Sequence, residues 1–256
     1  MGGSREWGKR LRRARPQARA VIGIERRSGT RSIPESQVRT EKPEGQNMGL
    51  IKEENDEQIV ERLAGKAGNI IAMLRSVFTT PEGLDIATAI IFAAGLAGYA
   101  CHEAVCAEQG TFAVVTTKSG EKYYFGDDVN KYLLESRTSV IGFCNAIADL
   151  PEEKVLGIVA SFARGIGSED MTVCGLKPAE LYEQIDQCWK GIFHNMTDQY
   201  CQSPSEWPVL FGIVTQNLLV TAYQAGAPKE EATGMAIECA AALSKMGKDT
   251  FGEGRD

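Results

Sequence analysis

Residues 84–106 read Leu-Asp-Ile-Ala-Thr-Ala-Ile-Ile-Phe-Ala-Ala-Gly-Leu-Ala-Gly-Tyr-Ala-Cys-His-Glu-Ala-Val-Cys. After Asp85 the stretch is apolar on every face for 16 residues, until His102 and Glu103. A helix with no polar face must be surrounded by other helices or by lipid. The run is shorter than the roughly 20 residues that span a bilayer, and alanine and glycine dominate it. We therefore predict the central helix of a soluble domain that does not bind a membrane.

Charge divides the 256-residue chain into two unlike parts. Residues 1–47 hold 12 basic and 5 acidic residues, a net charge of +7, whereas residues 48–256 carry a net charge of −13. An acidic body repels phosphate backbones and anionic membranes. We therefore expect contact with nucleic acid only if the basic arm belongs to the native protein.

The arm at residues 1–47 lacks helical or strand periodicity, and we expect it to be disordered. It has three interpretations: a basic tail that touches nucleic acid or an acidic partner, an organelle presequence, or a segment outside the native protein. The composition changes abruptly at Met48, which favours the third interpretation. Residues 48–256 are then predicted to form a single helical domain.

Proline followed within two residues by an acidic residue recurs in the body, a pattern typical of helix starts. The five positions are Pro81, Pro151, Pro178, Pro204 and Pro228. They divide the body into about seven helices, of which residues 208–225 form the second strongly apolar one. The predicted fold is mostly α, a multi-helix bundle around the central apolar helix with one β-hairpin packed on it.

Two amphipathic helices are predicted in detail. Asn55 and Gln58 have the spacing of a capping box, so the first helix begins there and should stop near Phe78. Asp127 is the expected N-cap of the second. The predicted buried stripes are Ile59, Leu63, Ala67, Ile70, Leu74 and Val77 in the first, and Val129, Leu133, Val140, Cys144 and Ile147 in the second.

The hairpin is predicted at residues 111–126, where two β-rich runs flank a turn that contains Gly120. An isolated hairpin is marginally stable in water, so it must pack on the helices or pair with another copy of the chain. Tyr123, Tyr124 and Phe125 alternate across the second strand. We expect one face to pack inward and the other to bind a partner.

Four polar residues are candidate ligand-binding groups. His102 and Glu103 end the central helix, and Gln216 and Asn217 interrupt the second apolar helix. The alternative for each pair is purely structural: a helix end that reaches water, or an amide that ties two helices together. His102 and Cys106 have the i, i+4 spacing of metal ligands on one helix face, but zinc sites need three or four ligands. We therefore expect no metal and no cofactor.

Seven cysteines cannot all pair with one another, and a core of this size does not need disulfides. We interpret most of them as small buried hydrophobic residues in a reducing cytoplasm. The first functional hypothesis is a non-catalytic interaction protein that self-associates or binds a protein partner. The alternative is an enzyme or small-ligand-binding protein with its pocket between the two apolar helices.

Overall fold

A computed structural model describes residues 55–251, and the predicted disordered arm lies outside these residues. The elements in chain order are α1 (Asp56–Phe78), β1 (Thr79–Thr80), β2 (Gly83–Leu84), α2 (Ile86–Ala107), β3 (Ala113–Thr116), β4 (Lys122–Phe125), α3 (Asp127–Leu133), α4 (Val140–Asn145), α5 (Glu152–Gly165), α6 (Pro178–Cys188), a π-helical turn (Trp189–Phe193), α7 (His194–Tyr200), a 3-10 turn (Pro204–Glu206), α8 (Trp207–Gln224) and α9 (Lys229–Leu243). The fold is mostly α with one hairpin packed on the helices, as predicted.

Helix α2 is the centre of the bundle. Of its 22 residues, 17 are buried, and it packs mainly against α8 and α9. Among the described residues it is the one helix long and apolar enough to cross a membrane, but 83% of its most apolar window is buried inside the protein. That burial is typical of the core helix of a soluble protein, and the prediction that other helices surround this apolar run is confirmed.

Side-chain contacts fix the directions of α1 and α8. Arg62 contacts Glu206 just before α8 begins, with 2.6 Å between Nη2 and Oε1. Arg75 donates to Thr221 near the other end of α8 at 2.8 Å, so the two helices run parallel. The antiparallel turn of β1 and β2 reverses the chain between α1 and α2. The C-terminal end of α2, which carries His102, therefore lies beside the N-terminal end of α8.

The first helix begins and ends as predicted. The Asn55 side chain accepts a hydrogen bond from the Gln58 backbone N–H at 3.0 Å, and the Gln58 side chain accepts one from the Asn55 N–H at 3.1 Å. This reciprocal pair satisfies two N–H groups that a helix start otherwise leaves free. The predicted stripe is wrong at Val77, which is 42% exposed, because Phe78 occupies the buried position at the end of the helix.

Three other local predictions are wrong. Pro81 lies in the turn between β1 and β2, and α2 is instead capped by Asp85, whose carboxylate accepts from the Thr88 backbone N–H at 3.2 Å. Asp127 is the first helical residue rather than the N-cap, and the cap position makes no side-chain hydrogen bond. The helix predicted to run on to Ile147 is broken into α3 and α4, which leaves Ile147 exposed.

Candidate functional site

His102 lies in an aromatic cluster rather than at a water-filled helix end. Its ring stacks on Phe112 with centroids 4.8 Å apart and meets the edge of Tyr124 at 5.0 Å. The side chain is 4% exposed, and its Nδ1 has no hydrogen-bond partner within residues 55–251. The pKa of His102 is lowered to about 4: burial is the main cause, a hydrogen bond with the Ser244 backbone partly opposes it, and the Lys245 charge acts in the same direction as burial. The imidazole is therefore neutral at pH 7.

The His102 cluster anchors the hairpin on α2. Phe112 precedes β3, Tyr124 belongs to β4, and the two rings lie 5.4 Å apart in an edge-to-face arrangement. Gly247 leaves room for the imidazole, because a Cβ there would lie 2.6 Å from Nε2. A neutral, enclosed ring packed on two aromatic residues stabilises the fold through its buried area and offers no open face to a ligand.

Glu103 points to a different set of residues, on α6 and the π-helical turn. Tyr99 lies one helical turn before Glu103 on α2, and its hydroxyl donates a hydrogen bond to Oδ1 of Asp186 at 2.7 Å. The pKa of Glu103 is raised, first by burial and then by the negative charge of Asp186, while Lys190 partly opposes these effects. Glu103, Asp186 and Tyr99 therefore form a polar cluster on this face of α2. The side chains of His102 and Glu103 therefore lie on different faces of α2 and contact different parts of the protein.

Gln216 and Asn217 lie in the middle of α8. Asn217 is exposed and donates to the Ile213 carbonyl at 2.9 Å, a bond within its own helix, while Gln216 is half-buried. His102 lies beside the N-terminal end of α8. Gln216 and Asn217 are about ten residues further along that helix, which is roughly 15 Å at a rise of 1.5 Å per residue. The four candidate residues therefore do not converge. Asn217 is not the buried amide that the interrupted apolar run suggested, because α8 turns that position to solvent.

The three hairpin aromatic residues have unequal environments. Tyr123 is 1% exposed and packs edge-to-face on Phe162, so it is not available to a partner in this fold. Tyr124 and Phe125 are half-buried. One face of β4 packs inward, as expected, at Tyr123, which α5 covers; of the two faces predicted to bind a partner, the one that carries Tyr123 is therefore not free.

The free edge of β4 is occupied by the end of the chain. The backbone N–H of Tyr124 donates to the Lys245 carbonyl at 2.8 Å, and that of Lys122 donates to the Thr250 carbonyl at 3.0 Å. The segment after α9 thus lies alongside β4 and forms hydrogen bonds with its outer edge. Consequently the second strand of the hairpin, which the aromatic residues had suggested as the interaction surface, is enclosed on both edges.

The outer edge of β3 is the open surface of the hairpin. All four residues of β3 are exposed, Val114 by 51% and Val115 by 48%. Within residues 55–251, no strand or loop pairs with this edge. Unpaired edges are templates for pairing with another chain, and native proteins usually protect them with lysine, proline or a bulge. Residues 111–117 contain none of these, and no charge.

The register shows which backbone groups of β3 are free. On β4, Tyr124 directs its N–H to the C-terminal segment, so its neighbour Tyr123 directs its backbone groups to β3. Tyr123 pairs with Val115. The N–H and C=O groups of Val114 and Thr116, which flank Val115, therefore point outward. Sequence reasoning missed this edge because it followed aromatic residues; the uncharged β-branched run was the available signal.

An apolar cleft of about 100 Å³ lies between α1, α2 and α6. Its polar side chains are Thr88, Gln184 and the thiol of Cys188, and the Thr88 hydroxyl already donates to Asp85 at 2.8 Å. The remaining lining residues are Met73, Leu74, Val77, Phe78, Ile91, Phe92, Leu176, Leu181, Ile192 and Phe193. The cleft is therefore suited to an apolar group, and it lies elsewhere than the pocket predicted between the two apolar helices.

Metal ligands do not gather in the part of the chain that the structure describes: no three His, Cys, Asp or Glu side chains lie close enough together there to hold an ion. No family model, no curated protein and no solved structure matches the chain.

Proposed function

We propose that this protein is a non-catalytic, cytoplasmic interaction protein that self-associates through the outer edge of β3. The observation that carries the proposal is the unpaired edge itself, with Val114 and Val115 each about half exposed on an uncharged strand. Pairing this edge would cover part of both valines and satisfy backbone groups that face water in the part of the chain that the structure describes. The burial of α2 within the fold supports a soluble rather than membrane-bound protein.

The register favours a two-fold pairing centred on Val115. In that arrangement the outward N–H and C=O groups of Val114 form hydrogen bonds with those of Thr116 in the other copy. On the other side of the axis, Thr116 pairs in the same way with Val114 of the other copy. Four backbone hydrogen bonds would join two hairpins into one four-stranded sheet. A sheet of four strands is also more stable than the two-stranded hairpins from which it is built.

Charge at the two ends of β3 supports the same arrangement. Asp128 accepts hydrogen bonds from the Thr111 backbone N–H at 2.8 Å and the Thr111 hydroxyl at 3.1 Å, so its carboxylate lies at the start of the strand. Lys118 lies beyond the other end and is exposed. A two-fold axis at Val115 would place each Lys118 opposite the other copy's Phe112, one residue from Thr111. The opposite charges of Asp128 and Lys118 would thus approach across the axis.

The mass of the full chain in solution tests the proposal. We expect light scattering to give twice the chain mass of 27.8 kDa at micromolar concentration, and half that value on dilution. A concentration-independent mass of 27.8 kDa up to hundreds of micromolar would rule out self-association.

A second candidate function, binding of a small apolar ligand, is favoured by the cleft between α1, α2 and α6. An apolar cavity of about 150 Å³ is large enough to bind benzene or xenon, and this cleft is of the same order, at about 100 Å³. The π-helical turn Trp189–Phe193 contributes two of its lining residues, Ile192 and Phe193, and such turns are frequent at functional sites.

Benzene is the probe for this second function. We expect saturable shifts of the methyl NMR signals of Met73 and Ile91, which line the cleft. The variant Cys188→Phe, which places a ring at the cleft wall, should abolish the shifts. Unchanged signals in the wild-type protein up to the solubility limit of benzene would exclude the cleft as a binding site.

A further inference from the structure

Two cysteines meet where the loop between α5 and α6 packs on α9. The Sγ atoms of Cys174 and Cys239 lie 2.7 Å apart. Cys239 is fully buried on α9, whereas Cys174 is only partly exposed in the loop. The bond length of a disulfide is about 2.05 Å, so closing this pair requires the sulfurs to approach by less than about 1 Å.

The backbone at Cys174 is held in a conformation that side-chain-bearing residues rarely adopt. Cys174 has φ +50° and Gly175 has φ +77°, and Val173 and Leu176 exchange backbone hydrogen bonds of 2.8 and 2.9 Å across them. Positive φ at both central positions defines a type I′ turn, in which asparagine and glycine are preferred. A cysteine there carries a backbone penalty, which contacts of its side chain must offset.

Those contacts direct the thiol of Cys174 onto α9. Its Sγ lies 3.4 Å from the Met235 carbonyl and 3.8 Å from Oε2 of Glu238, and Oε1 of Glu238 accepts from the Cys174 backbone N–H at 3.0 Å. The turn is thus fixed to the helix by both backbone and side chain. This placement keeps the two sulfurs together without a covalent bond.

The two cysteines differ in exposure: Cys174 is partly exposed in the loop, whereas Cys239 is fully buried on α9. An open cavity of about 430 Å³ lies between α5 and the loop, and its lining includes Glu238, whose carboxylate contacts Cys174, but neither of the two cysteines. Because Cys174 is the more exposed of the pair, an oxidant meets Cys174 first, and this sets the order in which the two thiols react.

We propose that Cys174 and Cys239 form an oxidation site, at which a low-molecular-weight disulfide converts the two thiols into an intramolecular disulfide. The Cys174 thiolate attacks one sulfur of the reagent, forms a mixed disulfide and displaces one reagent thiol. Cys239 then loses its proton and attacks Sγ of Cys174, which displaces the second reagent thiol. Two protein thiols lose two electrons and two protons, and one reagent disulfide is reduced to two thiols, so atoms and electrons balance.

The surroundings of Cys174 make this reaction slow at neutral pH. The pKa of its thiol is raised by the hydrogen bond with Cys239, by burial and by the Glu238 carboxylate. Because the thiolate is the nucleophile, the rate should increase as the pH rises. The bond would close a loop across 65 residues of sequence separation and raise Tm by about 10 °C.

The test incubates the reduced full-length protein with excess oxidised glutathione at pH 8. We expect thiol titration after denaturation to fall from seven cysteines to five, and peptide mass spectrometry to find the Cys174–Cys239 link. Oxidised protein should show the higher Tm. The variant Cys106→Ser, which removes an exposed cysteine elsewhere, should form the same link.

Cys174→Ser changes a partly exposed loop residue and is the decisive variant. It should lose the link and show the same Tm with and without oxidised glutathione. A lasting glutathione adduct on wild-type Cys174, or a disulfide between other cysteines in its place, would overturn the proposal. So would seven free thiols after prolonged incubation.

Discussion

Gly98 of α2 lies against the backbone of Ala240 on α9, so closely that a Cβ on Gly98 would lie 2.1 Å from the Ala240 carbonyl oxygen. That obstacle is main chain, not a movable side chain, so a larger residue must push the two helices apart. The packing of α2 against α9 therefore depends on the absence of a single methyl group.

Gly98→Ala should destabilise the protein by about 3 kcal/mol or more, because overpacking of this kind costs about 1–3 kcal/mol even where side chains can adjust. Urea unfolding at pH 7 measures the change. Gly68→Ala is the matched control: Gly68 also lies within a helix, but no atom lies within 4 Å of its Cβ position. The control should gain about 0.5–1 kcal/mol from helix propensity. Equal effects of the two changes on the free energy of unfolding would contradict the close packing of Gly98 against the backbone of Ala240.

His102 should make the protein sensitive to mild acid. Its pKa is about 4 in the folded state and 6.5 in the unfolded chain, because burial disfavours the charged imidazole. Between these values the unfolded state binds a proton that the folded state does not, so the free energy of unfolding falls as the pH falls from 6.5 towards 4. At 1.36 kcal/mol per pH unit the full loss is about 3 kcal/mol.

Urea unfolding between pH 4 and 7.5 measures this loss, with His102→Leu as the comparison. The variant lacks the titrating ring, so the difference in stability between wild type and variant should shrink as the pH falls. Other groups that titrate in this range affect both proteins equally. Parallel curves for the two proteins would contradict the prediction.

Glu103 should limit stability at neutral pH. Burial and the nearby charge of Asp186 raise the pKa of Glu103, which means that the folded state favours its protonated form. The bound proton stabilises the folded state at low pH, and this stabilisation is lost as the pH rises through the folded-state pKa of Glu103. Glu103→Gln should therefore stabilise the protein at pH 7 by on the order of 1 kcal/mol, and the advantage should disappear in acid.

The matched control is Glu183→Gln, which removes an exposed carboxylate from α6. It should change the free energy of unfolding by less than about 0.5 kcal/mol at any pH. If both variants stabilise equally, the effect comes from the net charge of an acidic protein and not from the pairing of Glu103 with Asp186.

The sequence predicts the architecture because the decisive signals are local. A 16-residue run without a polar face must be enclosed, and the capping box at Asn55 marks a helix start through backbone chemistry alone. These features depend on residues a few positions apart. The central helix, the hairpin and the predominantly helical fold are therefore predicted from the sequence.

The arrangement of the candidate site residues depends on how elements meet, and the sequence does not predict it. His102 and Glu103 are adjacent in sequence but about 100° apart around α2, so one packs on the hairpin and the other faces α6. Asn217 interrupts an apolar run, yet α8 turns it to solvent. Tyr123 is covered by α5, a contact that no local pattern encodes. The contact of Cys174 with Cys239 joins residues 65 positions apart and likewise has no local signature.

Val115 provides the sharpest test of self-association, since it lies at the centre of the proposed two-fold pairing. Val115→Lys should weaken association at least 100-fold, because pairing would set two lysines directly opposite each other and bury both charges. The free energy of unfolding of the monomer should change by no more than about 0.5–1 kcal/mol, because Val115 is 48% exposed and replacing it creates no buried cavity. Analytical ultracentrifugation over a range of concentrations measures the association, and urea unfolding measures the stability.

Val77→Lys is the matched control: it makes the same change at a valine that is 42% exposed, on α1. It should leave the dissociation constant within about threefold of wild type, a difference of roughly 0.7 kcal/mol. Loss of association in both variants would mean that added charge, not the edge of β3, is responsible. Association that survives Val115→Lys would place the contact on another surface, and the β3 edge would then be a solvent-exposed strand without that role.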